Sequence, residues 1–379
     1  MGTRLVPWLV SRGADVIAVG RDPARLDRLS GSTEFWPEGE LGERLRSDQV
    51  DCVLDLAVLN SNASADLAAF RSANFFRVQA LVAAARSAGV RRVVALSSYH
   101  AADPENHSSY AQSKRELEQW LATEPHGQAR IVVLPKIIAD ETGIRRWAWR
   151  GLATAKPAAP FSAAAEAIEA AILTQEPASR PIWVASMGHH AGYDRLSRLI
   201  DIAFALAVIL GGSWLMLLLA AAVRLDSEGA AIFRQQRVGR NERPFTLYKF
   251  RTMAMNTKEA GTHEVAGAAV TRLGALLRRF KLDELPQAWN ILRGELALVG
   301  PRPCLLVQRE LIEERRANGV FALRPGLTGL AQVNGVDMSD PRELVRWEVL
   351  YSRIRGLLLD IRIVWQTFAG RGNGDRIAP

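Results

Sequence analysis

The feature that most constrains this chain is an uncharged, apolar run of 22 residues, 202–223. About 20 apolar residues in a helix suffice to cross the hydrocarbon core of a bilayer, and a buried helix of that length would be unusual in a soluble protein. Basic residues flank both ends of the run, so the positive-inside rule assigns no orientation. The run therefore predicts insertion into a membrane with both flanks on the cytoplasmic side.

Three residues near the middle of this run, Gly211, Gly212 and Ser213, predict a break in the helix. Each glycine weakens a helix by ~1 kcal/mol relative to alanine, and a broken helix can enter and leave a bilayer by the same face. Alternatively, the glycines let another helix pack closely. The run by itself leaves both interpretations open.

Charge is distributed unevenly along the 379 residues. The part through His190 holds 21 basic and 21 acidic residues, so the whole net charge of +8 lies in the second half. A basic half can face nucleic acid, anionic lipid or a phosphorylated substrate. Nucleic acid is disfavoured, because the basic residues alternate with Leu and Ile and form no polar stripe with aromatics.

The two cysteines, Cys52 and Cys304, lack disulfide or zinc spacing and indicate a reducing compartment.

The first 190 residues alternate short β-branched runs with helical stretches, which is typical of a parallel sheet covered by helices. Strands are predicted at 15–19, 50–57, 91–98 and 130–135, and helices at 70–89 and from 110 to 123. The sequence therefore predicts a Rossmann-like, doubly wound α/β domain.

A tyrosine and a lysine four residues apart mark the last of these helices. Tyr110 and Lys114 would share one helix face, so the ammonium could lower the pKa of the phenol and let it move a proton. Ser97 or Ser98, at the end of the preceding strand, would orient a sugar hydroxyl. A surface Tyr/Lys pair at this spacing is also common. Together with the strands, these residues resemble the extended short-chain dehydrogenase/reductase family, the NAD(P)-dependent sugar-nucleotide epimerases and dehydratases.

The chain departs from that family at its front. Such folds begin with a strand and a glycine-rich turn that receives the dinucleotide pyrophosphate, whereas this sequence opens inside the following helix. Either the translation start is placed too late, or the module has lost its cofactor and survives as a scaffold. Arg21 stands where a basic residue would favour NADP over NAD, although it could equally be an ordinary solvated arginine. We expect the chain as given to bind NAD(P) weakly at best.

The second half carries long motifs in a fixed order after the apolar run. They read LDSEGAAIFRQQRVGRNERPFTLYKFRTM, then FKLDELPQAWNILRGELALVGPRP, then LRPGLTGLAQVNG. Together they resemble the bacterial sugar transferase family, the small monotopic phosphoglycosyl transferases that start glycan assembly on a polyprenyl carrier. The resemblance implies a re-entrant helix, although Trp214 stands where the family usually has a proline.

Asp283 and Glu284 are the candidate catalytic residues. A carboxylate can attack phosphorus and form an acyl phosphate, and two adjacent acids suit one Mg²⁺ that also binds substrate phosphate. An isolated Asp-Glu pair is more often a solvated acidic patch. The surrounding stretch predicts an amphipathic helix lying on an anionic bilayer surface, with its apolar and basic residues at Leu277, Arg278, Arg279, Phe280, Lys281, Leu282 and Leu285.

Arginines in rigid turns supply matching positive charge. Arg302 lies between two prolines and Arg324 precedes Pro325, so each guanidinium is held where it could grip a phosphate. Stabilisation of the turns themselves is the plainer alternative. Lys249 and Arg251 alternate along a strand-like stretch and are further phosphate candidates, and Gln332 is a candidate contact for nucleotide or sugar.

These observations predict three parts, namely an incomplete NAD(P)-binding domain at 1–190, a membrane re-entrant helix at 191–224 and a mostly helical catalytic domain at 225–379. The resemblance implies that Asp283 attacks a UDP-sugar, that Glu284 holds Mg²⁺, and that sugar 1-phosphate passes to undecaprenyl phosphate on the cytoplasmic face of the bacterial inner membrane. Downstream glycosyltransferases and a second copy of the chain are further candidate partners. The alternatives are an NADP-dependent epimerase or dehydratase anchored by its second half, and a non-enzymatic membrane scaffold.

Overall fold

The computed structural model describes residues 1–20, 34–37, 40–124, 128–138, 157–174, 181–184, 189–253 and 270–371. These residues belong to two compact units, which divide between His189 and His190. Arg21 lies outside the described residues.

The first unit alternates strands and helices. Its helices are α1 (Gly2–Ser11), α2 (Leu41–Ser47), α3 (Leu67–Arg71), α4 (Arg77–Ser87), α5 (Tyr99–Ala102), α6 (Ser109–Ala122) and α7 (Phe161–Leu173). Its strands are β1 (Ile17–Gly20), β2 (Glu34–Pro37), β3 (Cys52–Asp55), β4 (Arg92–Ser98), β5 (Ala129–Leu134), β6 (Lys136–Ile138), β7 (Ala158–Pro160) and β8 (Ile182–Trp183). A π-helical turn, Ser72–Phe76, joins α3 to α4.

Parallel pairing confirms the predicted α/β class for this unit. Four parallel strands form a sheet in the order β3-β4-β5-β8. β1 pairs in parallel with β2 in a separate sheet, and among the described residues no ladder joins β1 to β3. The apolar run of β4 is buried, as expected of a parallel strand covered on both faces, and α1 and α7 pack with β4 and β5 in one hydrophobic core.

The predicted helices of this unit are present with shifted ends. The helix predicted at 70–89 begins at Leu67, contains the π-helical turn and ends at Ser87. Gly89 follows with φ +72°, the left-handed conformation that glycine adopts readily after a helix. α6 begins after Ser108, whose hydroxyl accepts a hydrogen bond from the backbone nitrogen of Ala111 at 3.3 Å.

The second unit is mostly helical. Its helices are α8 (His189–Leu206), α9 (Ser213–Asp226), α10 (Arg272–Arg279), α11 (Gln287–Arg293), α12 (Arg309–Ala317), α13 (Leu330–Val333), α14 (Pro341–Ile354) and α15 (Leu357–Phe368). Its strands are β9 (Ile232–Val238), β10 (Pro244–Phe250), β11 (Ala297–Val299) and β12 (Gly326–Thr328), with β9 and β10 antiparallel and β11 and β12 parallel.

The apolar run forms two helices that meet at an angle. A π-helical turn, Ala207–Gly211, ends the first helix, and the axes bend by 64° before Ser213, at the three residues that the sequence singles out. Among the described residues, no single helix is long and apolar enough to cross a bilayer, whereas this bent pair is, by length and composition. Large apolar side chains near the bend are exposed, among them Leu210, Trp214 and Leu217.

The helix predicted around Asp283 is interrupted. α10 ends at Arg279, and Lys281 then adopts a left-handed conformation, φ 55°, which no regular right-handed helix accommodates. A short 3-10 turn, Leu282–Glu284, follows before α11. Leu277, Leu282 and Leu285 pack inward with Val223, whereas Phe280 is exposed. The prediction of one amphipathic helix through this stretch was therefore wrong, because the helix ends before Asp283.

Candidate active site

The two adjacent acids lie on the 3-10 turn between α10 and α11. Asp283 is 8% exposed, and Glu284 is half-buried beside it. The turn starts from the left-handed Lys281, and Pro286 caps the beginning of α11, so both ends of this segment are conformationally restricted. The backbone thus presents two carboxylates in sequence from a short, constrained turn.

Lys249 supplies the contact that joins β10 to this turn. Its Nζ donates a hydrogen bond to Glu284 Oε1 at 3.1 Å, and both side chains are about one-fifth exposed. A charge-assisted hydrogen bond at a partly buried position is stronger than its solvated counterpart. The structure therefore brings together Lys249 and Glu284, two residues that the sequence nominates separately.

Asn290 joins β10 to α11, the helix after this turn, at a position that sequence reasoning missed. Its side chain is fully buried on α11, where Nδ2 donates to the carbonyl of Thr246 at 2.7 Å and Oδ1 accepts from the amide nitrogen of Tyr248 at 3.2 Å. A buried amide on an otherwise apolar helix face is the signal that could have found it, because buried polar groups need partners.

Arg251 has a different environment from Lys249. Its Nη2 donates to the carbonyl oxygens of Ser227, at 2.6 Å, and Val223, at 3.3 Å, and so satisfies the C-terminal end of α9. Nε and Nη1 of this side chain are buried, and among the described residues they have no hydrogen-bond partner. Nη2 of Arg251 thus stabilises the end of α9, whereas the N–H groups of Nε and Nη1 are not used in a hydrogen bond to the described residues.

Arg302 and Gln332 line one small cavity that is partly open to solvent. Its walls are the turn 300–302, the segment 329–332 and α14. Buried Pro301 and Pro303 flank Arg302, and the backbone oxygen of Arg302 accepts a hydrogen bond from Arg315 Nη2 at 2.8 Å. Arg315 is itself buried in an ion pair with Glu348, a support for this turn that the sequence did not reveal.

Arg324 stands on a segment that is crowded against the Arg302 turn. Gly300 N donates to the Thr328 carbonyl at 2.9 Å, and Gly326 N donates to the Pro301 carbonyl at 2.8 Å. A Cβ atom at Gly300 would overlap the backbone oxygen of Arg324, and one at Gly326 would overlap Gly300 N. Only glycine permits this approach, so the two arginine-bearing turns form one tight assembly.

Two polar residues of α8 contact α11, β11 and Arg324. Arg198 donates to the carbonyl oxygens of Ile291, at 2.6 Å, and Leu292, at 2.8 Å, at the C-terminal end of α11. Asp201 accepts hydrogen bonds from the backbone nitrogen of Leu298, at 2.9 Å, and from Arg324 Nη1, at 3.3 Å. The sequence did not single out Asp201, although an acid next to a long apolar run is a recognisable signal.

In the first unit, the Lys114 side chain is buried and hydrogen-bonded to the backbone. It is 1% exposed, and its Nζ donates to the carbonyl oxygen of Leu96 at 2.8 Å. Burial lowers its pKa to about 8, while the charge of Asp55 opposes that change. Tyr110 packs edge-on against the rings of Phe70 and His100, and burial raises the pKa of its phenol.

The two candidate serines differ in their environment. Ser97 is buried and hydrogen-bonded to Glu118, whereas Ser98 lies at the end of β4. Burial raises the pKa of Glu118, and the hydrogen bond from Ser97 opposes that change. Ser97 therefore has a structural partner in Glu118, whereas Ser98 lies beside the Tyr110 phenol, where its hydroxyl lowers the pKa of that phenol and opposes the effect of burial.

Asp283 and Glu284 are the residues that could hold a magnesium ion shared with substrate phosphate. Among the described residues, no cluster of three or more His, Cys, Asp or Glu side chains could hold a metal by itself. Mg²⁺ needs only one or two carboxylates when substrate phosphates supply further oxygens. Lys249 engages Oε1 of Glu284, and Oε2 of that carboxylate makes no hydrogen bond to a described side chain.

Comparison with known proteins decides the family. A family model described as "Bacterial sugar transferase" matches residues 192–371. The uncharacterized sugar transferase EpsL of Bacillus subtilis (strain 168) is 37% identical over 172 residues, which are 45% of this chain and 85% of that protein. The chain belongs to the bacterial sugar transferase family. The resemblance predicted from the motifs of the second half is thereby confirmed.

A further relative of this bacterial sugar transferase has a more specific name. The UDP-glucose:undecaprenyl-phosphate glucose-1-phosphate transferase of Caulobacter vibrioides (strain ATCC 19089 / CIP 103742 / CB 15) is 38% identical over 186 residues, which are 46% of this chain and 68% of that protein. The chain spans only 34–43% of several longer curated relatives.

The first unit of this bacterial sugar transferase matches a second family model, described as "NAD(P)H-binding", over residues 1–146. The predicted resemblance of this half to NAD(P)-binding proteins is thereby confirmed. Among solved structures, the dTDP-glucose 4,6-dehydratase DesIV of Streptomyces venezuelae, with NAD bound, is 18% identical and covers 52% of this chain and 77% of that one, with a TM-score of 0.40.

Proposed function

We propose that the second unit transfers a sugar 1-phosphate from a UDP-sugar to undecaprenyl phosphate and releases UMP. The observation that carries this proposal is the constrained carboxylate pair Asp283–Glu284 with Lys249 bonded to Glu284, in a chain of the bacterial sugar transferase family. The Caulobacter relative, named a UDP-glucose:undecaprenyl-phosphate glucose-1-phosphate transferase, supports this class of donor and acceptor.

The reaction proceeds by double displacement. The Asp283 carboxylate attacks the sugar-linked phosphorus of the donor, the bond from that phosphorus to the bridging oxygen breaks, and UMP leaves with the electron pair. A phosphate oxygen of undecaprenyl phosphate then attacks the same phosphorus, and the bond to Asp283 breaks. The carboxylate is regenerated, and the product is undecaprenyl diphosphate-linked sugar.

The other polar residues bind and orient the donor. Arg302 and Arg324 bind the diphosphate, since planar guanidinium groups match phosphate oxygens. Gln332, which lines the cavity with Arg302, contacts the nucleotide or the sugar. Arg251 contributes its two unused donors. Asp283 and Glu284 would hold Mg²⁺, which neutralises charge on the phosphates when it is bound.

The bent pair of helices holds this site at the membrane. Its exposed apolar side chains suit lipid, and its basic flanks suit a cytoplasmic location for both ends. Re-entry by the same face keeps both units in the compartment that contains nucleotide sugars. We therefore assign both units to the cytoplasmic face of the bacterial inner membrane.

The proposal is tested by the formation of a covalent adduct in the parent protein and by its loss in Asp283→Asn. Detergent-solubilised protein is incubated with a panel of UDP-sugars and Mg²⁺, with and without undecaprenyl phosphate, and UMP release and intact mass are measured. We expect lipid-dependent turnover and, without lipid, one phosphosugar adduct per chain. Asp283→Asn should abolish both signals, whereas the matched control Tyr110→Phe should retain both. The proposal would be contradicted if the folded parent released no UMP with any UDP-sugar of the panel, or if Asp283→Asn still released UMP.

The match of the first unit to NAD(P)H-binding proteins favours a second candidate, an NADP-dependent epimerase or dehydratase anchored by the second unit. In that case Tyr110 would hold or release a proton near the sugar. The Lys114 ammonium donates one of its three N–H groups to the Leu96 carbonyl and keeps two that could assist the phenol. Absorbance of bound nicotinamide in the purified protein distinguishes the two.

A further inference from the structure

A buried carboxylate lies inside α8, directly before the apolar run. Asp201 lies on α8, is 1% exposed, and immediately precedes the uncharged run. Burying a carboxylate is costly unless it is paired and hydrogen-bonded. Its position is therefore tied to that of its partners.

Those partners belong to two separate arginine-bearing segments. Oδ1 accepts a hydrogen bond from the amide nitrogen of Leu298, in β11, which leads directly into the turn that carries Arg302. Oδ2 accepts a hydrogen bond from Arg324 Nη1, two residues before β12. One carboxylate thus bonds to the base of one turn and to the guanidinium of the other.

The two segments cannot move independently. β11 and β12 are paired in parallel, with Ala297 opposite Gly326 and Val299 opposite Thr328, and glycine contacts lock the turns that follow. A guanidinium has five N–H donors, and within the described part of the chain Asp201 is the one hydrogen-bond acceptor of the Arg324 side chain. Most of its donors are therefore available to a ligand.

We propose that Asp201 is a positioning residue that aligns Arg324 with the Arg302 turn to bind one nucleoside diphosphate. This inference rests on the proposed function, in which these two arginines bind the diphosphate of the donor. Asp201 touches no substrate atom and acts through Arg324 and Leu298. Since it stands on α8, it also sets the phosphate site relative to the helices that we assign to the membrane.

The direction in which Asp201→Asn changes the affinity for UDP distinguishes a positioning role from a purely electrostatic one. Asp201→Asn removes a negative charge next to a phosphate-binding arginine, so charge alone predicts tighter binding of UDP. Asparagine keeps an oxygen for the Leu298 amide but orients Arg324 less firmly. Positioning therefore predicts weaker binding, by about tenfold, since a lost charge-assisted hydrogen bond is worth roughly that factor.

The experiment is UDP binding by the full chain in detergent, measured by calorimetry, with UDP-sugar kinetics as a second readout. We expect Asp201→Asn to raise the Kd for UDP about tenfold, and KM more than kcat. In an Arg324→Ala background the same change should alter Kd by less than about twofold, because residues that act through one another are not additive. Glu314→Gln, which changes an acid of α12 paired with exposed Arg342 at 3.6 Å, is the control and should leave Kd unchanged.

Asp201→Glu covers the case in which Asp201→Asn does not fold, as judged by thermal melting. It keeps the charge but displaces Arg324, so its Kd should also rise. Unchanged or tighter binding in the folded Asp201 variants, or an equal loss in the Arg324→Ala background, would overturn the inference and leave the proposed function standing. A folded parent that binds no UDP would overturn both.

Discussion

At the scale of single residues, Lys249 is the side chain whose removal tests the carboxylate pair most directly. We expect Lys249→Ala to lower kcat for UMP release by about tenfold or more, because Glu284 loses a charge-assisted hydrogen bond of 3.1 Å. Initial rates at saturating donor measure the effect. Arg346→Ala, which removes an exposed arginine of α14, should leave kcat within about twofold. Equal rates for Lys249→Ala and the parent would show that the ion pair is not needed.

Sequence reasoning found the residues whose chemistry is visible in a motif and missed those that only the fold brings together. Glu284, Arg302 and Arg324 could be nominated because paired acids and arginines next to prolines suggest phosphate chemistry. Lys249 could be nominated because it alternates with Arg251 along a strand-like stretch. Asp201 and Asn290 could not be assigned partners, because Leu298 and Tyr248 lie far from them in the sequence. Distant backbone contacts of this kind are set by packing, not by local pattern.

At the scale of elements, Gly212 determines whether the bend of the apolar helices is accommodated. A Cβ atom there would lie 2.6 Å from the backbone oxygen of Val208, whereas one at neighbouring Gly211 would meet open space. We expect Gly212→Ala to destabilise the protein by about 1–3 kcal/mol through overpacking, and Gly211→Ala to be neutral or slightly stabilising. Thermal melting in detergent compares the two. Equal melting temperatures would mean that the bend tolerates the added atom.

Asp360 joins three helices of the second unit. Its carboxylate accepts hydrogen bonds from Tyr193 on α8 and, at 2.9 Å, from Tyr351 on α14, and the charges of Arg355 and Asp201 also act on it. Burial raises its pKa from 3.8 to about 7. Because the folded pKa exceeds the unfolded one, this group stabilises the fold below about pH 4 and loses that contribution as pH rises through about 7.

The melting temperature of the parent should therefore fall from about pH 5 to about pH 7 more steeply than that of Asp360→Asn, and the two slopes should agree above about pH 8. Scanning calorimetry across this range measures both slopes. Glu242→Gln, which changes an exposed carboxylate paired with Arg316, should keep the slope of the parent. Parallel curves for the parent and Asp360→Asn would show that this carboxyl does not titrate there.

The elements of the first unit could be predicted more fully than the turn that carries the two acids. Strands such as β4 are continuous β-branched runs between helices, so periodicity alone identifies them. Around Lys281 the spacing of apolar residues is helical although the backbone is not. A single residue in the left-handed conformation does not change that spacing, so the sequence pattern cannot reveal it. The predicted helix failed at the position where the chain presents Asp283.

At the scale of the whole molecule, the second unit should act alone. The Bacillus relative is matched over 85% of its own length by 45% of this chain, so a similar unit exists without the first one. We expect residues 190–379, expressed separately in membranes, to retain UMP release within about threefold of the full chain, as independent domains do. The same fragment with Asp283→Asn is the negative control. An inactive but folded fragment would indicate that the first unit contributes to transfer.

The glycine contacts between the two arginine turns also bear on how this enzyme could be redesigned. Side chains cannot be introduced at Gly300, Gly326 or Gly329 without overlap with backbone atoms, so random libraries across these turns would consist largely of misfolded members. Variation aimed at a new sugar donor belongs instead at cavity positions with side chains of their own, such as Gln332 and Leu344. The backbone of the two turns is then a fixed frame, and altered selectivity has to be sought in the side chains around it.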